Sequence, residues 1–139
     1  MKIGSASIEI TPDRPLHLLG QMHARIAQRT RDPLKVSAVV LGEGAQRLVL
    51  ASVDICLMPD ALVRAAQEAA AARTGIPARA ILYAATHTHV APCTVPLVKT
   101  QWADPDWLAR LHTAMVEVVV NAVAKTEDCL LYRAEGWVA

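Results

Sequence analysis

A chain of 139 residues that is 53% hydrophobic and 19% charged has enough apolar surface for a stable core, which excludes a disordered polymer. Fourteen basic residues face thirteen acidic ones, a net charge of +1, so the composition carries no electrostatic footprint for nucleic acid. Three cysteines without repeated spacing, Cys56, Cys93 and Cys129, argue against a disulfide framework and a structural zinc knuckle.

The amino-terminal stretch Ile3–Ile10, "IGSASIEI", alternates small or polar with apolar residues and predicts a strand near 3–10, ended by Thr11-Pro12. It lacks the apolar core of a signal peptide, and no window reaches the length of a membrane span, so the expected compartment is the cytoplasm. Residues 12–33 hold three prolines, four arginines, Gly20 and two histidines with no visible period, and read as a long loop. Loops of that length in compact domains are uncommon unless functional. The mild basic excess of residues 1–47, seven Lys/Arg against four Asp/Glu, reads as a solvated face.

"LKVSAVVLGEGAQRLVLASVDI" reads as a hairpin with strands near 34–42 and 47–54, turning through the glycines Gly42 and Gly44. Its second arm is apolar on both faces, the pattern of a central strand. A helix is predicted over 60–74, with Asp60 as N-cap and a stripe of Leu62, Ala65, Ala66, Ala69 and Ala72. Gly75 and Pro77 end it. "ARAILYAATHTH" follows, giving a strand near 79–86. The order strand, helix, strand argues for a parallel pair. After a Pro-bounded loop comes a second helix near 105–125. Asp104 is its N-cap, Pro105 its first residue, and Leu108, Leu111, Met115, Val118, Val119 and Ala122 its buried stripe. "CLLYRAEGWVA", residues 129–139, is expected as a final strand. The fold class is α/β: a mixed β-sheet with crossover helices, in one fragment-like, single-layer domain over 1–139.

The chemistry concentrates in "ATHTHVAPC". Alternate residues of a strand point to one side, so His87 and His89 are expected to aim both imidazoles at one place, with Thr88 facing away. The carboxyl end of a parallel strand borders the usual ligand crevice of an open α/β sheet. Imidazole is the commonest zinc ligand, and a catalytic zinc takes about three protein ligands and keeps one open position. The competing reading is a pair of idle, exposed or carbonyl-capped histidines. Asp54 ends an apolar strand, where a carboxylate needs a partner. That partner is either the free N–H of a metal-bound histidine or an arginine. The alternative is a cap for the helix starting near Pro59. His17 and His23 are expected to face solvent and His112 to be structural. Cys56 and Cys93 read as inert buried thiols, and Trp102 and Trp107 as packing anchors.

The pieces "ITP", "LLG", "RDPLKVSAVVL", "RLVLASVDI", "ARTGIP" and "ILYAATHTHVAP" occur in the order seen in the amino-terminal domain of neutral/alkaline, non-lysosomal ceramidases. The resemblance runs from about Ile3 to Pro92. It implies a zinc-dependent hydrolase that cuts the amide between a fatty acid and a sphingoid base. His87 looks like the family's metal ligand, His89 like the active-site neighbour that meets substrate or attacking water, and Asp54 like an aspartate near the site. The family run continues with Ser and a Gly-rich turn, whereas this one continues Val90-Ala91-Pro92-Cys93. The family's other zinc ligands, a histidine, a glutamate and a tyrosine, come from far downstream, beyond Ala139.

The implied partners are a small-molecule N-acyl amide or lipid substrate and, as an alternative, a second copy of the chain, with neither nucleic acid nor a transmembrane segment. The competing function is a non-catalytic or oligomerising module that keeps the fold without the reaction. A His-x-His amidohydrolase barrel ranks last, because such a barrel needs roughly 200 residues or more.

Overall fold

The computed structural model describes residues 1–137. Five strands form one mixed sheet: β1 (Lys2–Glu9), β2 (Lys35–Leu41), β3 (Leu48–Val53), β4 (Ile81–Ala85) and β5 (Glu127–Asp128), in the order β4-β3-β2-β1-β5. Two helices accompany them, α1 (Asp60–Thr74) and α2 (Pro105–Ala124). β1, β2 and β3 pair antiparallel, and β3 and β4 pair parallel across the α1 crossover. The β2–β3 turn passes through Gly42 at φ +96°, a conformation open to glycine.

The pleat sorts the strand residues. Val36, Ala38 and Val40 of β2, Val49, Ala51 and Val53 of β3, and Ile81 and Tyr83 of β4 are buried in one cluster with both helices. The helix contribution comes from Ala66 and Ala70 of α1 and from Leu111, Met115, Val118, Val119 and Ala122 of α2. Glycine at position 4 lets the end of α2 approach β1, because a Cβ there would collide with the Ala122 carbonyl and with Thr126. Two polar anchors lock α2 on the sheet. The Trp107 indole N–H donates to the Ile10 carbonyl (2.9 Å), and the Tyr83 hydroxyl donates to the Met115 carbonyl (2.9 Å).

Several expectations are corrected. β3 lies between two other strands, yet it is buried on one face only. Leu48, Leu50 and Ser52 are exposed, because both helices lie on the opposite face. The stripe of α1 is rotated from the expected one: Ala66 and Ala70 are buried while Ala65 and Ala72 are exposed. Pro59, not Asp60, is the N-cap of α1, and Asp60 opens the helix, where its charge favours the positive end of the dipole. Asp104 caps α2 as expected, its carboxylate accepting the Trp107 N–H at 2.9 Å. Trp107 is buried on the inward stripe, whereas Trp102, in the preceding loop, is 67% exposed rather than buried as an anchor would be. The expected strand over 129–139 is replaced by the two-residue β5, which pairs with Lys2 and Ile3. The ladder ends at Met1, whose carbonyl accepts the Cys129 N–H, and no strand forms over 130–137. Val138 and Ala139 lie outside the described residues.

Candidate metal centre at the end of the parallel strands

β4 ends at Ala85, before the histidines. Its pairing with the β3 side nevertheless continues for two residues. Thr86 N–H donates to the Val53 carbonyl (2.9 Å) and His87 N–H to the Ile55 carbonyl (3.0 Å). His87 then takes φ +62°, the left-handed region that side chains with a Cβ rarely occupy. The two imidazoles do meet, with ring centroids 4.9 Å apart in an edge-on arrangement. The turn at His87, not the pleat of a strand, brings them together. A non-glycine residue in that region costs of order 1–3 kcal/mol, and such residues persist where the surroundings dictate them.

The His87 ring is oriented by the chain it faces. Its Nδ1 lies 2.9 Å from the Cys56 carbonyl oxygen. A carbonyl only accepts, so Nδ1 carries the proton and Nε2 keeps its lone pair. Metal-ligating histidines are commonly fixed in this way. The Cys56 sulfur is 4.0 Å from the same nitrogen. One ligand atom from each of Cys56, His87 and His89 lies within 4.8 Å of the others. Cys56 is buried and both histidines are exposed, so this cluster is open to solvent from the histidine side. Burial pushes the thiols of Cys56 and Cys93 up from their ordinary value, which keeps them neutral. The donor set of two imidazoles and one sulfur suits zinc.

The loop over 12–33 supplies the other wall. It folds as a small hairpin, with Leu18 N–H donating to Arg25 O (2.8 Å) and Ala27 N–H to Leu16 O (2.9 Å). One arm pairs with the segment after the histidines: Leu19 N–H donates to Ala91 O (3.1 Å) and Cys93 N–H to His17 O (2.7 Å). Leu19 packs with Cys56 and Cys93 in a small core of its own. The Arg25 guanidinium donates to the carbonyls of His89 and Leu19, tying the hairpin to the histidine loop. Sequence reasoning missed Gly20 and Arg25 and set Cys56 aside as an inert buried thiol. The "LLG" triplet was the only local signal for the hairpin, and nothing in spacing joins positions 20 and 56 to 89.

Asp54 is placed differently from its expected partners. Its carboxylate accepts the Lys35 N–H (2.9 Å) and its own N–H donates to the Lys35 carbonyl (2.9 Å), closing the β2–β3 ladder. It therefore neither meets the free N–H of His87 nor caps α1. With Thr88, Leu18, Ile26, Val90 and Pro92 it lines a cavity of about 980 Å³, to which neither His87 nor His89 contributes. His17 is half-buried, with Nδ1 out of solvent, and so departs from the expected exposed position. His23 is exposed as expected, and His112 is half-buried on α2.

The molecule is thus an α/β layer with a candidate metal centre at the carboxyl end of its parallel strand pair. Its fold is similar to the crystal structure of the neutral ceramidase from Pseudomonas aeruginosa, with a TM-score of 0.76 and 17% sequence identity. The match covers 91% of this chain and 22% of the ceramidase chain, so this chain spans about a fifth of that protein. A likeness at this identity establishes the fold. No protein-family model matches the sequence, and no curated protein matches it significantly. No helix among the described residues is long and apolar enough to cross a membrane.

Proposed function

We propose that this chain is a zinc-dependent amide hydrolase domain of the neutral ceramidase type, incomplete as a catalytic unit by itself, acting on N-acylsphingosine or a related N-acyl amide. The observation that carries the reading is the meeting of the His87 and His89 rings at the end of β4 on a ceramidase-like fold. His87 holds the metal through Nε2, its tautomer set by the Cys56 carbonyl. His89, 4.9 Å away between centroids, addresses the reacting oxygen and stabilises charge there. Asp54 acts from the wall of the adjoining cavity rather than on the metal ligands. A zinc ion at this centre supplies Lewis acidity toward water and an amide carbonyl.

The 139 residues alone supply too few ligands for a closed catalytic site of the family type. The expected behaviour of the isolated chain is therefore weak zinc binding or none, and no ceramide hydrolysis. A longer form carrying the downstream His, Glu and Tyr is expected to do both. Elemental analysis of protein purified without chelator, with hydrolysis of a fluorescent N-acylsphingosine in mixed micelles, tests this. A longer form without zinc and without amidase activity would sink the reading. The second reading, a non-catalytic or oligomerising module, is favoured by one observation. The helix-free face of the sheet exposes Val39, Leu50 and Leu82. Sedimentation at several concentrations separates the two.

A further inference from the structure

Cys56 has two relationships with the histidine pair, and only one of them is absorbed by the reading above. Its carbonyl orients the His87 ring. Its sulfur belongs to the three-donor group whose ligand atoms lie within 4.8 Å of one another, while its carbonyl takes His87 Nδ1 and leaves Nε2 to face a metal. We infer that Cys56 is itself a metal ligand, so that this chain grips zinc through a His87–Cys56 nitrogen–sulfur pair. The inference rests on the proposed metal centre and adds a sulfur donor to it.

Three observations support the assignment. The first is reach. Zinc bonds of about 2.3 Å to sulfur and about 2.05 Å to nitrogen set a tetrahedral N···S separation of roughly 3.5 Å. The donor atoms lie within 4.8 Å of one another, and rotation of the Cys56 and His87 side chains is what closes this to the required separation. The second is placement: Cys56 follows β3 by three residues while His87 follows β4 by two, so neighbouring parallel strands deliver both donors to one spot. The third is support. The Cys56 main chain is held by the His87 contact, and its neighbour Ile55 accepts the His87 N–H at 3.0 Å. Cys93 shares the small core with Cys56 but not the donor group, which makes it the internal control. On binding, the thiol proton passes to buffer, one per metal ion, and the metal–sulfur bond replaces the S–H bond.

The test uses the 139-residue chain and cobalt(II) as an optical probe in the absence of oxygen. The wild type is expected to develop a near-ultraviolet thiolate-to-cobalt charge-transfer band that saturates at one equivalent. Cys93→Ser should keep the band. Cys56→Ser should lose it and bind at least about tenfold more weakly, since even outer-shell partners of a metal site carry roughly that much affinity. X-ray absorption at the zinc edge on the zinc-loaded wild type, which involves no substitution, should show one sulfur neighbour. Cobalt or zinc bound with only nitrogen and oxygen neighbours would overturn the Cys56 assignment while leaving the histidine centre standing. Failure of the 139-residue chain to bind either metal would overturn the Cys56 assignment, whereas the histidine centre falls only if the longer form carrying the remaining ligands also binds none.

Discussion

Gly20 lies against the His89 ring: a Cβ at position 20 would come within 2.7 Å of both His89 Cβ and Cδ2. Gly20 also has φ +106°, which side chains rarely adopt. Two independent constraints therefore require glycine at the point where the hairpin over 16–27 touches the candidate site. Gly20→Ala is expected to cost about 1–3 kcal/mol in backbone strain. In a longer form that carries the remaining ligands, turnover should fall as in His89→Ala while most of the metal stays bound, because the His89 ring must move. Thermal melts of the variant, beside kcat and metal content of that longer form, check both parts. Unchanged kcat would show that the contact does not position His89.

The α1 contact is a matter of volume. Ala66 is fully buried, while Ala65, its neighbour in sequence, is exposed. Ala66→Leu inserts three carbons into a closed contact and should destabilise by about 1–3 kcal/mol. Ala65→Leu should stay within about 0.5 kcal/mol of the wild type. Equal midpoints for the two variants in urea would contradict the packing.

These two positions mark what the sequence made legible. The alternation in β2 and β3 and the strand–helix–strand order were enough for the layer and its parallel pair. Alanine, however, gives almost no contrast around a helix, so a stripe of five apolar positions on α1 was misplaced by part of a turn. The open sheet face was illegible for a similar reason. The arm holding Leu50 read as apolar on both faces, but the strand pattern does not say how many helices cover each face. At the site, the histidine pair stood out through its residue types. Its contacts with Gly20, Arg25 and Cys56 depend on chain segments that meet only in the folded molecule. Asp54 looked like an active-site carboxylate because it ends an apolar strand. Its carboxylate accepts the Lys35 main-chain N–H, a partner that leaves no side-chain signature in the sequence.

Tyr83 links sheet to helix and gives the fold an alkaline limit. Its hydroxyl donates to the Met115 carbonyl, and burial raises its ionisation well above the ordinary tyrosine value. A folded-state value above the unfolded one means the contribution is complete below about pH 10 and is lost as pH rises further. Tyr83→Phe should cost about 0.5–1.5 kcal/mol at neutral pH by removing the hydrogen bond. The variant should also lose less stability than the wild type between pH 9 and pH 11, a range set around the reference value of about 10. Urea unfolding across that range measures the difference. Parallel pH profiles for the two proteins would show that Tyr83 ionisation is not coupled to unfolding.

The two histidines are expected to fail in different ways. His87 presents Nε2 with its tautomer fixed by the Cys56 carbonyl, the arrangement of a ligand. His89 is exposed, and Arg25 holds its main chain rather than its ring, which leaves the imidazole free to meet a reacting oxygen. In a longer form that carries the remaining ligands, His87→Ala should therefore abolish metal retention and activity together. His89→Ala should keep most of the metal and lower turnover by roughly 10²–10³, the range seen when one preorganised oxyanion donor is removed. Metal content per chain and kcat, measured on the same preparations, separate the two effects. Equal metal loss in both variants would make His89 a ligand as well, and the reacting oxygen would then need another partner, with Asp54 on the cavity wall the next group to test by Asp54→Asn.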